Sequence, residues 1–437
     1  MISEAVVKEL YDIYSDHPEV TTDSRNVPAG SVFFALRGPS FDGNIFAAGA
    51  LRAGAAWAVV DDPGVIPGPG YSPGKYFLVE NVLQCLQGLA AYHRARLDIP
   101  VIAITGTNGK TTTKELTSAI LSRRYKVHST YGNLNNHIGV PLTLLSIPAD
   151  TRIAIIEMGA SGPGEIADLC GIAAPGYGLI TNIGLAHLEG FGGPEGVKKA
   201  KGELYDYLAA RRGTIFVNGE YALLMNMAAD RENLERVIYD ISSVRNMENN
   251  LTGGYNLYNI AAAAAIGRYF EVSEDDIASS VAEYYPESNR SRVIVTDRNT
   301  VLADCYNANP SSMAAAIGNF GAGRIPAAPD GKPVPKVLIL GDMLELGVWS
   351  DTEHDRILKE AMGSGASAIY LVGDNFGEAY GRTVAGNEGD CGCGPSWAVF
   401  PDVSALSGHF KETPLSGTYV LLKGSRGVAL EKIIPLL

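Results

Sequence analysis

The chain has 437 residues, a formal net charge of −13, and 46% hydrophobic against 19% charged residues. That describes a globular protein of roughly two to four domains and excludes wholesale disorder. Basic residues are scattered rather than gathered in a stripe, which argues against a nucleic-acid partner, and no apolar run approaches the roughly 18 residues needed to span a bilayer. The opening MISEAVVKELYDIY carries acids early, unlike a secretory signal, so a cytoplasmic protein with no membrane partner is expected. Five cysteines, Cys85, Cys170, Cys305, Cys391 and Cys393, fit reduced thiols. The last two lie in GDCGCGPS without partners at zinc-site spacing, and that stretch reads as a surface loop.

In chain order, the runs SVFFAL (31–36), AAWAVV (55–60) and KYFLV (75–79) are short, β-branched and aromatic, and predict strands. FAAGALRAGA (46–55) between them predicts a helix, and DDPGVIPGPGYSPGK (61–75) a loop. The helix VLQCLQGLAAYHRARL then leads to Pro100. From there the pattern alternates strand and helix: VIAIT (101–105), IAIIEMG (153–159), GLITNIG (178–184) and TIFVN (214–218) are continuous apolar runs, as in a parallel sheet covered on both faces. YNLYNIAAAAAIGRYF (255–270) is helical by propensity. A third series, VLADCY (301–306), KVLILGD (336–342), AIYLVGD (368–374) and TYVLLKG (418–424), repeats the grammar, with GRIPAAPDGKPVPK (323–336) as a loop. The expectation is an α/β protein of three domains. They are a small N-terminal α/β unit over 1–82, a central parallel-sheet unit over 83–288 and a Rossmann-like unit over 289–437.

One turn carries most of the chemistry. VIAITGTNGKTTTKE (101–115) is a strand, a glycine turn and a helix start, with backbone N–H groups and a helix dipole converging on an anion. It lacks the first glycine of the common phosphate-loop pattern, since Ile104 stands there, so the turn is tightened differently. The residues expected to hold a nucleotide are Gly106, Thr107, Asn108, Gly109, Lys110, Thr111 and Thr112. Lys110 supplies charge to the β- and γ-phosphates and Thr111 a ligand for Mg²⁺. A bland alternative, a glycine turn that merely starts a helix, fits poorly directly after a buried strand.

GTNGKTTTKE resembles the phosphate loop of the Mur ligase family of peptidoglycan synthesis and their folylpolyglutamate relatives. The resemblance extends through DSRNVPAGSVFFALRGPSFDGNIF, TYGNLNNHIGVPLTLL, EMGASGPGEIADLCGIAAP, ITNIGLAHLEGFGGPEGVKKAKGE, DCYNANPSSM, GDMLELG and KGSRGVALEKI, nearly the whole chain. YNANP, GDMLELG and KGSR are most similar to the branch that joins D-alanyl-D-alanine to UDP-N-acetylmuramoyl-tripeptide. The resemblance implies an ATP- and Mg²⁺-dependent ligase that converts a carboxylate into an acyl phosphate for an amine to attack. Such a monomer acts on small molecules only.

Residue by residue, the resemblance implies Lys110, His187 and Lys201 as catalytic. Glu157, at the end of the strand IAIIE, His187 and Lys201 would join Thr111 as metal ligands, Lys201 in carbamylated form. Asn307 and Asn309 of YNANP would reach the nucleotide from the third unit, although ordinary turn chemistry explains them as well. Asn256 and Asn259 are open between helix-start and base-contacting roles. Ser24 and Arg25 would hold the UDP end, and Asn135 and Asn136 would line the path between UDP and ATP. Lys423 and Arg426 are candidates for the dipeptide carboxylate, or plain surface charges. The pattern departs from many relatives at Asn44, where they carry histidine. Two other readings stay open: a sister ligase adding a single amino acid, and a nucleotide-gated switch.

Overall fold

The computed structural model describes residues 3–67, 75–286, 291–322, 334–384 and 395–437. Cys391 and Cys393, with all of GDCGCGPS but its last two residues, and most of the loop expected over 323–336 lie outside them. Cys85, Cys170 and Cys305 are buried free thiols, as expected of a reduced protein.

Among the described residues three larger sheets follow one another along the chain, besides a two-stranded antiparallel pair of Arg37–Gly38 and Phe41–Asp42. The first orders its strands Val20–Thr21, Val32–Phe34, Trp57–Val60 and Tyr76–Leu78, all parallel. The second runs Glu235–Tyr239, Thr214–Asn218, Tyr177–Ile180, Val101–Thr105, Ile153–Glu157, Val127–Ser129, again all parallel. Its inner strands are buried along their length, because helices cover both faces and leave no polar side for an alternating pattern to mark. The third orders Arg292–Val295, Thr300–Ala303, Tyr419–Lys423, Lys336–Gly341, Ala368–Val372 and Ser396–Phe400, and only the first pair is antiparallel.

The apolar runs therefore become strands where expected, several of them trimmed, GLITNIG by four residues and VLADCY by three. Elements with weak signals are additions: the helix Glu4–Asp16, capped by Ser3, and the short edge strands Val127–Ser129, Glu235–Tyr239, Arg292–Val295 and Ser396–Phe400. The last strand, Tyr419–Lys423, is followed by 3-10 turns over Arg426–Val428 and Leu430–Leu436, where a further α-helix was expected.

The first two sheets share one core. Leu10, Phe34 and Leu86 pack in the same cluster as Val101, Ile156 and Leu204, and Tyr14 donates a 2.6 Å hydrogen bond to the Leu145 carbonyl. The third sheet meets the second through a different cluster, in which Leu188, Phe191, Val197 and Ala200 pack against Phe320, Met343 and Leu346.

Candidate active site

In the second sheet the strand order reverses around Val101–Thr105, and a ligand site is expected at the carboxyl ends of such strands. The turn 106–109 sits there, ahead of the helix Lys110–Leu121. Ile104 is part of the buried strand, paired with Glu157, so the missing glycine belongs to the sheet and not to the turn. Gly106 (φ 138°) and Gly109 (φ 80°) make the bend instead. A Cβ on Gly106 would lie 2.0 Å from Thr181 Oγ1, and one on Gly109 2.4 Å from Asn259 Oδ1. Gly106→Ala is therefore expected to cost about 1–3 kcal/mol from the backbone alone, and to abolish nucleotide binding. Urea unfolding and titration calorimetry check this; an unchanged midpoint would show that the turn relaxes around the methyl group.

The turn is held from the neighbouring strand end. Asn182 Oδ1 accepts from Asn108 N–H (3.0 Å), while Asn182 Nδ2 and Thr181 Oγ1 donate to the Asn108 carbonyl at 3.0 and 2.6 Å. Lys110 Nζ donates to the carbonyls of Gly106 (2.7 Å) and Thr107 (2.9 Å), which parks the ammonium over the turn. Asn256 and Asn259 line the cavity over the turn and also bond within the protein: the Asn259 amide donates to Asn256, its oxygen accepts from Thr113, and Asn256 donates to the Thr252 carbonyl.

A cavity of about 700 Å³ opens over this turn, lined by both the second and third units. Lys110, Thr112, Asn135, Asn136, Glu157 and His187 border it, as do Lys201, Asn307 and Asn309. Thr111 lies just beneath, 4% exposed. Asn309 Nδ2 donates to Asn108 Oδ1 (2.9 Å) across the two units, so YNANP touches the turn itself. The same residue caps its helix: its Oδ1 accepts from Ser312 N–H at 2.9 Å, so turn chemistry and site contact coexist.

Two buried oxygens here have no protein partner, Thr111 Oγ1 and Glu157 Oε2. An unsatisfied buried acceptor costs about 1–3 kcal/mol, so each calls for a ligand. A hydroxyl and a carboxylate oxygen beside a phosphate turn fit Mg²⁺, which takes one or two protein oxygens and fills its octahedron with phosphate and water. Among the described residues no three His, Cys, Asp or Glu side chains gather, which fits such a cation better than a protein-caged metal. The other Glu157 oxygen accepts from Asn135 Nδ2 (2.8 Å).

Lys201 is 3% exposed, and its Nζ lies 5.4 Å from the centroid of the Phe191 ring. Burial, reinforced by the Lys110 charge, lowers its pKa to about 7, against the opposing pull of Glu165 and Glu203. His187 is likewise pushed below the usual imidazole value by burial, with Lys110 and Lys201 adding to the effect and Glu345 resisting it. Both amine and imidazole are thus poised to be neutral near pH 7, the state in which nitrogen binds a metal or attacks CO₂.

Some expected contacts take other forms. The Asn135 amide is engaged with Glu157, and Asn136 Oδ1 accepts from Ile138 and Gly139 N–H at a helix start. Lys423 is not a plain surface charge: it is 2% exposed, borders the cavity, and its Nζ pairs with Asp304 Oδ2 at 2.6 Å. Ser24 and Arg25 lie on the first unit, away from the cavity lining, with Arg25 forked onto Asp23. Asn44 is buried and clips its own unit, donating to Asp42 and Asp61 and accepting from the N–H groups of 61 and 62. Glu203 caps the helix Glu165–Ala173 through Gly164 and Ala167 N–H. Asn182 and Glu345 were missed. Asn182 carries a signal, a polar residue just past a buried strand; Glu345 carries none without the fold.

Comparison with known proteins gives a consistent result. Residues 18–94 match the model of the Mur ligase family catalytic domain, 104–250 the Mur ligase middle domain, and 289–426 the Mur ligase glutamate ligase domain. The UDP-N-acetylmuramoyl-tripeptide–D-alanyl-D-alanine ligase of Bacillus subtilis is 34% identical, covering 95% of this chain and 92% of the relative. The enzyme of the same name from Escherichia coli is 31% identical over the same shares. The crystal structure of MurF from Acinetobacter baumannii superposes with a TM-score of 0.79 at 27% identity, covering 95% of this chain and 92% of that one. MurF from Thermotoga maritima in complex with ADP shares the fold, with a TM-score of 0.78 at 23% identity over 100% and 98% of the two chains.

Proposed function

This chain belongs to the Mur ligase family, and we propose that it joins D-alanyl-D-alanine to UDP-N-acetylmuramoyl-tripeptide using ATP, as its relatives' names describe. The central unit, 83–288, holds ATP; the first, 1–82, holds the UDP end through Ser24 and Arg25; the third, 289–437, brings the dipeptide and closes on the nucleotide with Asn307 and Asn309. The enzyme acts in the cytoplasm as a monomer. The observation that carries the reading is the phosphate turn whose lysine shares one cavity with Glu157 and YNANP, with the orphaned hydroxyl of Thr111 just beneath.

The chemical need is electrostatic. A carboxylate resists an amine because oxide would have to leave, so the substrate carboxylate oxygen first takes the γ-phosphoryl group and releases ADP. The dipeptide amine then attacks the acyl carbon, loses a proton, and phosphate departs with the C–O electron pair. Lys110 and the N–H groups of the turn neutralise the charge on the transferred group. Thr111 and Glu157 would hold Mg²⁺, and His187 and carbamylated Lys201 a second ion; such ions would supply positive charge to offset that of the phosphoryl oxygens. Asn135 orients Glu157.

The lowered Lys201 pKa favours carbamylation, because only neutral amine attacks CO₂, forming an N–C bond and releasing a proton. With ¹³C-bicarbonate, a carbamate resonance is expected in the wild type and not in Lys201→Ala, growing as pH rises through about 7. Identical spectra in the two proteins would remove the modification.

The reading is tested by phosphate release. Release that requires both UDP-N-acetylmuramoyl-tripeptide and D-alanyl-D-alanine, with amide product formed, supports it. Release that ignores both substrates would favour a nucleotide switch, and release with a single amino acid a sister ligase.

A further inference from the structure

We propose that Glu345, carried by the third unit, is a positioning residue: docking of that unit sets its carboxylate on Nδ1 of His187 and leaves Nε2 as the nitrogen available to a ligand in the cavity. This rests on the proposed role of His187.

The contact crosses the interface between units. The exposed Glu345 carboxylate lies against His187 Nδ1, a buried nitrogen with no other protein partner. Both residues sit in the left-handed region, His187 at φ 50° and Glu345 at φ 63°. Strained backbone of this kind persists only where its surroundings over-determine it. Here the surroundings are the docked segment itself: Glu189 N–H donates to the Glu345 carbonyl at 3.3 Å, and Leu185 N–H to Ser311 Oγ at 2.8 Å. Gly347, at φ 53°, has room for no Cβ without meeting Glu189 Cβ at 3.0 Å.

A purely stabilising ion pair is the competing explanation, and it is weak. The Glu345 side chain is 62% exposed, and pairs so accessible to water add little to stability. A histidine that binds a metal, by contrast, almost always gives its other ring nitrogen to a carboxylate or carbonyl, which fixes tautomer and ring orientation. Glu345 supplies that group only when the third unit is docked, so the site is completed by closure.

The test uses the full chain with Glu345→Gly, which suits the left-handed backbone and removes the carboxylate without added strain, and Glu345→Gln, which keeps an acceptor. Mn²⁺ binding is followed by electron paramagnetic resonance with a non-hydrolysable ATP analogue, and the His187 tautomer by ¹⁵N shifts of the imidazole. Glu345→Gly should weaken Mn²⁺ binding about 10- to 100-fold and shift His187 away from the Nδ1–H tautomer, with Glu345→Gln recovering most of both. Wild-type Mn²⁺ affinity and an unchanged tautomer in Glu345→Gly would overturn the proposal. Ligation by the wild type is measured in parallel, so that a failure of the ligase reading shows there and a failure of the Glu345 role shows only in the variant.

Discussion

Lys110→Ala is expected to lower ligation by about 10²- to 10³-fold or more, the loss seen when one preorganised charge is removed from a developing anion. The side chain is partly exposed and donates to the carbonyls of its own turn, so the fold should survive, with a melting temperature near that of the wild type. A second effect checks the electrostatics independently. Lys110 is among the charges holding the Lys201 pKa down, so in the variant the carbamate resonance should appear at higher pH than in the parent. Full turnover in Lys110→Ala would remove the lysine from the mechanism.

Glu157→Gln should separate stability from function. The carboxylate is 1% exposed, with one oxygen held by Asn135 and the other without a protein partner. Removing the buried charge relieves an uncompensated cost, so the variant without nucleotide or metal should be more stable by about 1 kcal/mol or more in urea unfolding. The same change takes away a metal ligand worth several kcal/mol to the transition state, and turnover should fall about 10³-fold. Greater activity, or lower stability of the free protein, would contradict the assignment.

Much of this was legible because buried parallel strands announce themselves. VIAIT, IAIIE and TIFVN are continuous apolar runs, and each became a fully buried strand. Edge strands do not behave so: ERVIY and SWAVF leave side chains exposed along their length, and VHS is three residues long. The phosphate turn could be read because its chemistry is local, four consecutive residues between a strand and a helix. The contacts that complete the site are not local. Asn108 meets Asn309, and His187 meets Glu345, over separations of more than a hundred residues, which only the packing of Leu188 and Phe191 on Met343 and Leu346 brings about. Lys423 misled for a related reason, since a lysine reads as exposed until the fold supplies Asp304.

The core that runs unbroken from Leu10 and Phe34 to Val101 and Leu204 has a practical corollary. A chimaera that exchanges the first sheet with a relative's by cutting the chain between residues 80 and 81 would leave Leu86 and Leu204 facing foreign side chains. Exchanging the first sheet therefore calls for moving the helices Glu4–Asp16 and Val82–Arg94 with their packing partners, whereas the third unit, joined through a separate cluster, is the natural piece to trade.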